Sequence, residues 1–256
     1  MKKFTLTILF TFYLTFSFAQ LITHMSVRVD DNERQGYLEL ENFWSEIHEQ
    51  AIKDGLSQRW MVWEFTYEDE EASKGKPDFL VMNFYKDSIQ KSKTANLNFK
   101  DYAKKVYKGK LSKSKFEKKW NLPLGKRNFY ELERLDNTYW HGELKIGMKI
   151  SMNVFKSLNE DYEDYEMKFF KKWHEKRMET GDLGWWEFNK VISRSDNENQ
   201  DVTHFTMDIA LIDNYMGSYP QPTEFSDQML IKHGSESRKR IIGDELELKF
   251  VQFPQN

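Results

Sequence analysis

Phe43-Trp44-Ser45-Glu46-Ile47-His48-Glu49, with Gly55 beyond it, is matched by Phe169-Phe170-Lys171-Lys172-Trp173-His174-Glu175, with Gly181 beyond it. The offset is 126 throughout, and the His-Glu pair and the glycine are identical. Downstream, Trp63-Glu64-Phe65 reads against Trp186-Glu187-Phe188, and Phe79 to Asp87 reads against Phe205 to Asp213 at offset 126. A match of this extent predicts one structural unit used twice.

Within each unit the periodicity changes in a fixed order. Met25, Val27 and Val29 alternate with Ser26 and Arg28, which predicts a strand. Leu40, Phe43, Trp44, Ile47 and Ala51 follow helical spacing, and Gly55 is placed to end that helix. Trp60 to Tyr67 and Phe79 to Tyr85 are rich in aromatic and β-branched residues, as strands are. Phe99, Tyr102 and Val106 predict a second helix, and Phe129 to Leu135 a closing strand. The second unit repeats the order. Strands are expected at Met148 to Val154, Trp185 to Val191, Thr203 to Ile212 and Glu245 to Phe253, with helices through Tyr165, Phe169 and Trp173 and from Thr223 to Lys239. At offset 126 the apolar phase of the first strands differs by one residue, which places a length change in the loop before the helix.

The order β-α-β-β-α-β is that of a ferredoxin-like unit, whose two helices cover one sheet face and leave the other apolar. Two units in one chain can cover each other. With its Trp-Glu-Phe and His-Glu segments, the chain resembles the dimeric α+β-barrel superfamily, which includes NIPSNAP-like, EthD-like and antibiotic-biosynthesis-monooxygenase-like proteins. The resemblance spans nearly all of residues 20–256. It implies an α+β fold of tandem ferredoxin-like repeats, 20–141 and 142–256, stacked as a pseudo-dimeric barrel. It also implies a ligand cleft between a sheet and its own helices. Members include cofactor-free oxygenases, haem binders and proteins with no known chemistry, so the fold does not choose among them. Haem is a cofactor the resemblance admits and the sequence does not require.

Three sets of residues are candidates for chemistry. His48 and His174 have apolar residues one helical turn away on both sides, Trp44 and Ile52 for the first, Phe170 and Met178 for the second. They are therefore expected at the edge of the helix face that meets the sheet. A neutral imidazole there can serve as a base or an axial ligand. The competing reading is packing done twice, with Glu64 and Glu187 hydrogen-bonding the helix histidines across the layer. Among the tryptophans, alternation predicts Trp63, Phe65, Trp186 and Phe188 on one face and Trp60, Glu64, Trp185 and Glu187 on the other. Flat rings beside a carboxylate suit an aromatic ligand, and they equally suit a core. Finally, His204, Thr206 and Asp208 share one face of a strand whose equivalents in the first unit are Asp78, Leu80 and Met82. On a sheet interior they would form a polar pocket in one half only; on an edge strand they would face water. The sequence has no His-x-x-x-His pair, so no metal site is predicted.

Charge is segregated as well. The 256 residues carry a net −3, yet residues 86–128 hold thirteen Lys and Arg127 against Asp87, Asp101 and Glu117, a net of +11. Lys104, Lys105, Lys108 and Lys110 could dock on an anionic envelope surface, or simply be a solvated face. No nucleic-acid motif accompanies them. No apolar run reaches the ~18 residues of a membrane helix. Lys2 and Lys3 precede an uncharged stretch, Phe4 to Phe18, that ends Ser17-Phe18-Ala19. That pattern reads as a signal peptide cleaved after Ala19, hence a periplasmic or secreted protein. The chain has no cysteine, so an exported domain must rely on a core rich in its 8 Trp, 12 Tyr and 20 Phe.

The leading expectation is an exported binder of a small apolar or aromatic molecule through His48, Glu64, Trp60, His174, Trp185 and Glu187. The alternatives are an oxygenase-like or haem-binding enzyme using His174, His204 or Asp208, and an envelope-docking protein. The leader has its own check. Intact mass of the exported product should begin at Gln20, and a product that retains residues 1–19 would contradict cleavage.

Overall fold

Aromatic and β-branched runs form strands because their bulky side chains pack on a pleated surface. There are eight among the described residues: β1 (Leu21–Arg28), β2 (Arg59–Thr66), β3 (Phe79–Tyr85), β4 (Lys126–Asn137), β5 (Lys149–Ser157), β6 (Leu183–Arg194), β7 (His204–Ala210) and β8 (Arg238–Gln252). The structure, a computed structural model, describes residues 20–140, 143–211 and 223–254. The expected leader Met1–Ala19, Ile212 of the expected third strand and Asp213 of the repeat match lie outside them.

In the first unit α1 (Arg34–Lys53) follows β1, and a short α2 (Glu70–Ser73) lies between β2 and β3. The crossover expected as one helix is three: α3 (Ser88–Ala95), α4 (Phe99–Val106) and α5 (Lys113–Trp120). Each starts on a side-chain cap, Asp87, Asn98 or Ser112. In the second unit α6 (Tyr162–Tyr165) passes through a π-helical turn (Glu166–Phe170) into α7 (Lys171–Glu179), and α8 (Phe225–Glu236) precedes β8. Gly55 and Gly181 take φ of 69° and 81° after α1 and α7, the left-handed stop that glycine supplies.

All the strand pairs are antiparallel, in the closed order β1-β3-β2-β8-β5-β7-β6-β4. Each unit contributes four strands, β4-β1-β3-β2 and β8-β5-β7-β6, and the β2–β8 and β4–β6 ladders join them. The inner faces meet in one core that includes Ile22, Trp63, Met82, Leu132, Met152, Met207 and Leu248. Helices cover the outer face, with Tyr37, Trp60, Val62 and Phe79 buried in the first unit and Tyr162, Met178, Trp186 and Phe188 in the second.

The ladders correct the internal alignment. Trp60 pairs with Asn83 and Trp186 with Asp208, so the true match of Trp186 is Trp60, at the same offset as the histidines. The Trp-Glu-Phe match is displaced by three residues. By the same ladders His204, Thr206 and Asp208 correspond to Phe79, Val81 and Asn83, not to Asp78, Leu80 and Met82. The first strands align at offset 128, Ile22 with Ile150, so the second unit is shorter by two residues before the helix histidine. Alternation holds from Trp60 to Phe65 and from Trp185 to Phe188, so the three-residue displacement, an odd number, sets Trp63 and Phe65 in the barrel and Trp186 and Phe188 under the helices.

Candidate functional site

The predicted residues divide between the two layers. Trp60 faces α1, and the His48 ring lies flat on its indole at 4.8 Å and 8°, with Trp44 and Phe99 at 6.2 and 6.0 Å. In the second unit His174 lies on Trp186 at 5.0 Å and 14°. The repeated histidine thus does the same packing in each half. Burial holds both imidazoles neutral, with pKa values lowered to about 3.

Neither glutamate serves these histidines. Glu64 pairs with Arg34 and, at 2.7 Å, with Lys249. Glu187 turns into the barrel and pairs with Arg134. His174 instead has a carboxylate from the neighbouring strand, Asp208 Oδ1 at 3.4 Å from Nδ1, and Asn153 Nδ2 lies 3.5 Å from Oδ2 of Asp208. His204, Thr206 and Asp208 are all buried. Strand β7 lies between β5 and β6, so they are neither on an edge nor in the barrel; they face the helix layer. His204 stacks on Phe188 at 5.1 Å, with Nδ1 2.8 Å from Thr203 Oγ1 and Nε2 3.2 Å from Glu163 Oε1. Only this half carries such a polar set, since the first unit has Phe79 and Val81 there.

Trp185 and Glu187 come together elsewhere, inside one end of the barrel. The Arg134 guanidinium lies 5.3 Å from the Trp185 ring and 5.5 Å from Phe84, with Arg59 5.4 Å from Phe84. Beside them Asn189 is fully buried, and neither of its amide atoms is hydrogen-bonded to a described residue.

The opposite end opens into a cavity of about 690 Å³. Its walls include Phe65, Leu80, Met152, Val154 and Phe205, its floor His24, and its rim Arg28, Lys76, Lys126 and Arg127 with Glu198 and Asp244. That volume is within the few hundred to ~1,000 Å³ typical of small-molecule sites. His24 is 1% exposed, its ring meets Phe205 edge-on at 5.3 Å, and neither ring nitrogen has a hydrogen-bond partner among the described residues. Burial, and then Arg134, lower its pKa to about 3. It is a neutral imidazole offering one donor and one acceptor. Sequence reasoning missed it, because His24 sits on the face of β1 opposite the Met25/Val27/Val29 stripe.

A closed eight-stranded barrel of two ferredoxin-like units has solved counterparts. A "Putative monooxygenase" from Fusobacterium nucleatum superposes with a TM-score of 0.61 at 9% identity, over 92% of this chain and 95% of that one. A "putative monooxygenase" from Lactobacillus acidophilus gives 0.57 at 9%, over 92% and 96%. An "anthrone oxidase-like protein" gives 0.51 at 8%, over 91% and 92%. These likenesses show the fold, a closed antiparallel barrel built from two ferredoxin-like units. No protein family and no curated protein matches the sequence itself.

The resemblance read from the sequence admits haem on a helix histidine, and the residues here can be tested for it. Asp208 beside His174 Nδ1 is the carboxylate an axial imidazole would need. The layer around that ring is nevertheless filled by Tyr162, Met178, Trp186 and Phe188, each 2% exposed or less. A porphyrin between α7 and its sheet would have to displace this core, so the residues around His174 do not fit haem. The described residues also contain no cluster of three or more His, Asp or Glu able to hold a metal ion. In the basic lobe, Lys104 pairs with Asp101 at 3.4 Å and Lys110 with Glu46 at 2.8 Å, while Lys105 and Lys108 are exposed.

The unpaired nitrogens of His24 cost the ligand-free fold about 1–3 kcal/mol. Thermal unfolding of His24→Phe should therefore give a Tm at least as high as the parent. An unfolded histidine takes up a proton below its ordinary 6.5, whereas native His24 resists protonation down to about 3. The stability advantage of the variant should thus widen as pH falls from 6.5. A variant that is less stable at pH 5 than the parent would contradict this account of His24.

Proposed function

We propose that this protein binds a small apolar or aromatic molecule inside the barrel, through the mouth that ends on His24. The single observation that supports this reading is a buried imidazole with two unpaired nitrogens on the floor of an apolar-walled cavity. Buried polar groups are nearly always hydrogen-bonded, and a ligand carbonyl or hydroxyl would satisfy this one. The ligand therefore enters between the two sheets, not between a sheet and its helices, and Trp60, His48 and Glu64 play no part in holding it. Export through the leader would make this an extracytoplasmic binder. The docking reading gains little from the lysine lobe, where Lys104 and Lys110 already face carboxylates.

An oxygenase-like enzyme would use the same cavity, and one experiment separates the two. Protein purified from its own producing cells is examined by native mass spectrometry, then incubated in air and examined again. A retained apolar molecule of unchanged mass, reduced in His24→Phe, is the expected result. A gain of oxygen in that molecule would replace binding with catalysis. An empty protein that shows no thermal shift with a hydrophobic compound library would overturn the reading.

A further inference from the structure

The wall between β1 and β4 carries a polarity pattern that says more about the molecule bound. Deep in the cavity, His24 is the register partner of Tyr130; four residues nearer the mouth, Arg28 is the register partner of Lys126. Side chains 24, 26 and 28 of one strand and 126, 128 and 130 of the other all line the cavity. Arg28 and Lys126 are both exposed, and neither makes an ion pair with a described residue. Like charges directly opposite on neighbouring strands destabilise a sheet. Lys76 adds a third rim cation. Arg127 leans 3.8 Å toward Glu41, and the rim carboxylates are Glu198, which accepts from Ser26 Oγ at 3.1 Å, and Asp244. Arg28, Lys76 and Lys126 thus outnumber Glu198 and Asp244 around a floor formed by a neutral imidazole.

Resting on the binding reading above, we infer that the ligand class is an amphipathic anion. Its leading end carries a neutral hydroxyl or carbonyl that hydrogen-bonds to His24. Its apolar middle packs on Leu80, Met152, Val154 and Phe205, and its trailing carboxylate lies between Arg28 and Lys126. Strand rise sets the length: four residues at ~3.3 Å each put the two polar ends ~13 Å apart. An acidic leading end would have to shed its charge in that interior, because a buried carboxylate has only a neutral imidazole to meet there. The order of the ends follows from this.

The probes are 10-hydroxydecanoate, decanoate and 1-decanol, titrated calorimetrically into the purified protein at low and high salt. The expected order is hydroxydecanoate tightest, with decanoate and decanol each weaker by about tenfold, one lacking the leading hydroxyl and the other the anion. Arg28→Gln/Lys126→Gln, two exposed changes that leave the core intact, should erase the advantage of the carboxylate and its salt dependence while decanol binding stays the same. His24→Phe should erase only the advantage of the leading hydroxyl. If decanol binds as tightly as hydroxydecanoate, or the double variant keeps the preference for carboxylate, the anion inference falls while the binding reading stands. If none of the three binds, both fall.

Discussion

The structure depends on a face that a four-stranded sheet cannot leave wet. Helices cover one side of each unit, and the other side presents rows of Met, Leu, Ile and aromatic side chains. Closing β2 on β8 and β4 on β6 buries both rows at once and leaves no free strand edge among the eight. The duplication is what makes this possible within one chain. It also fixes where a cavity can lie, because the interior of an eight-stranded barrel has room for side chains and one small ligand.

The fold was legible in the sequence because its main signal is redundant. His48 and His174, with the glycines that follow them, sit at the same place on two helices and stack on equivalent tryptophans. An offset carried by a helix, a cap and a ring stack survives local changes. The strands were harder to align. A side chain on a strand has only two directions, so an alignment displaced by an odd number of residues puts matched side chains on opposite faces. Trp63-Glu64-Phe65, read against Trp186-Glu187-Phe188 three residues out of place, therefore has Trp63 pointing into the barrel and Trp186 toward α7. The same displacement is why Glu64 and Glu187, read as twins, lie on opposite faces.

The site was less legible for a related reason. In a sheet buried on both sides, either face of a strand can look like the core. In β1 the stripe of Met25, Val27 and Val29 belongs to the helix layer, and the face that matters carries Ile22, His24, Ser26 and Arg28. A strand graded from apolar through a lone histidine to an arginine is a weak signal alone. It gains meaning only when closure turns that face inward and sets Lys126 beside Arg28. The polar set on β7 was visible as an asymmetry between the halves, and the asymmetry is real, though it lies under the helices.

The central claim is that the two halves close on each other along two seams. Because the chain has no cysteine, engineered pairs report on it cleanly. Thr66 and Glu245 are register partners across the β2–β8 seam, and Glu131 and Ser193 across the β4–β6 seam. Converted to cysteine one pair at a time and oxidised under native conditions, each pair should form an intramolecular disulfide in the monomer and fail to do so in urea. Failure of either pair to close in the native protein, with the other closing or not, would contradict the barrel.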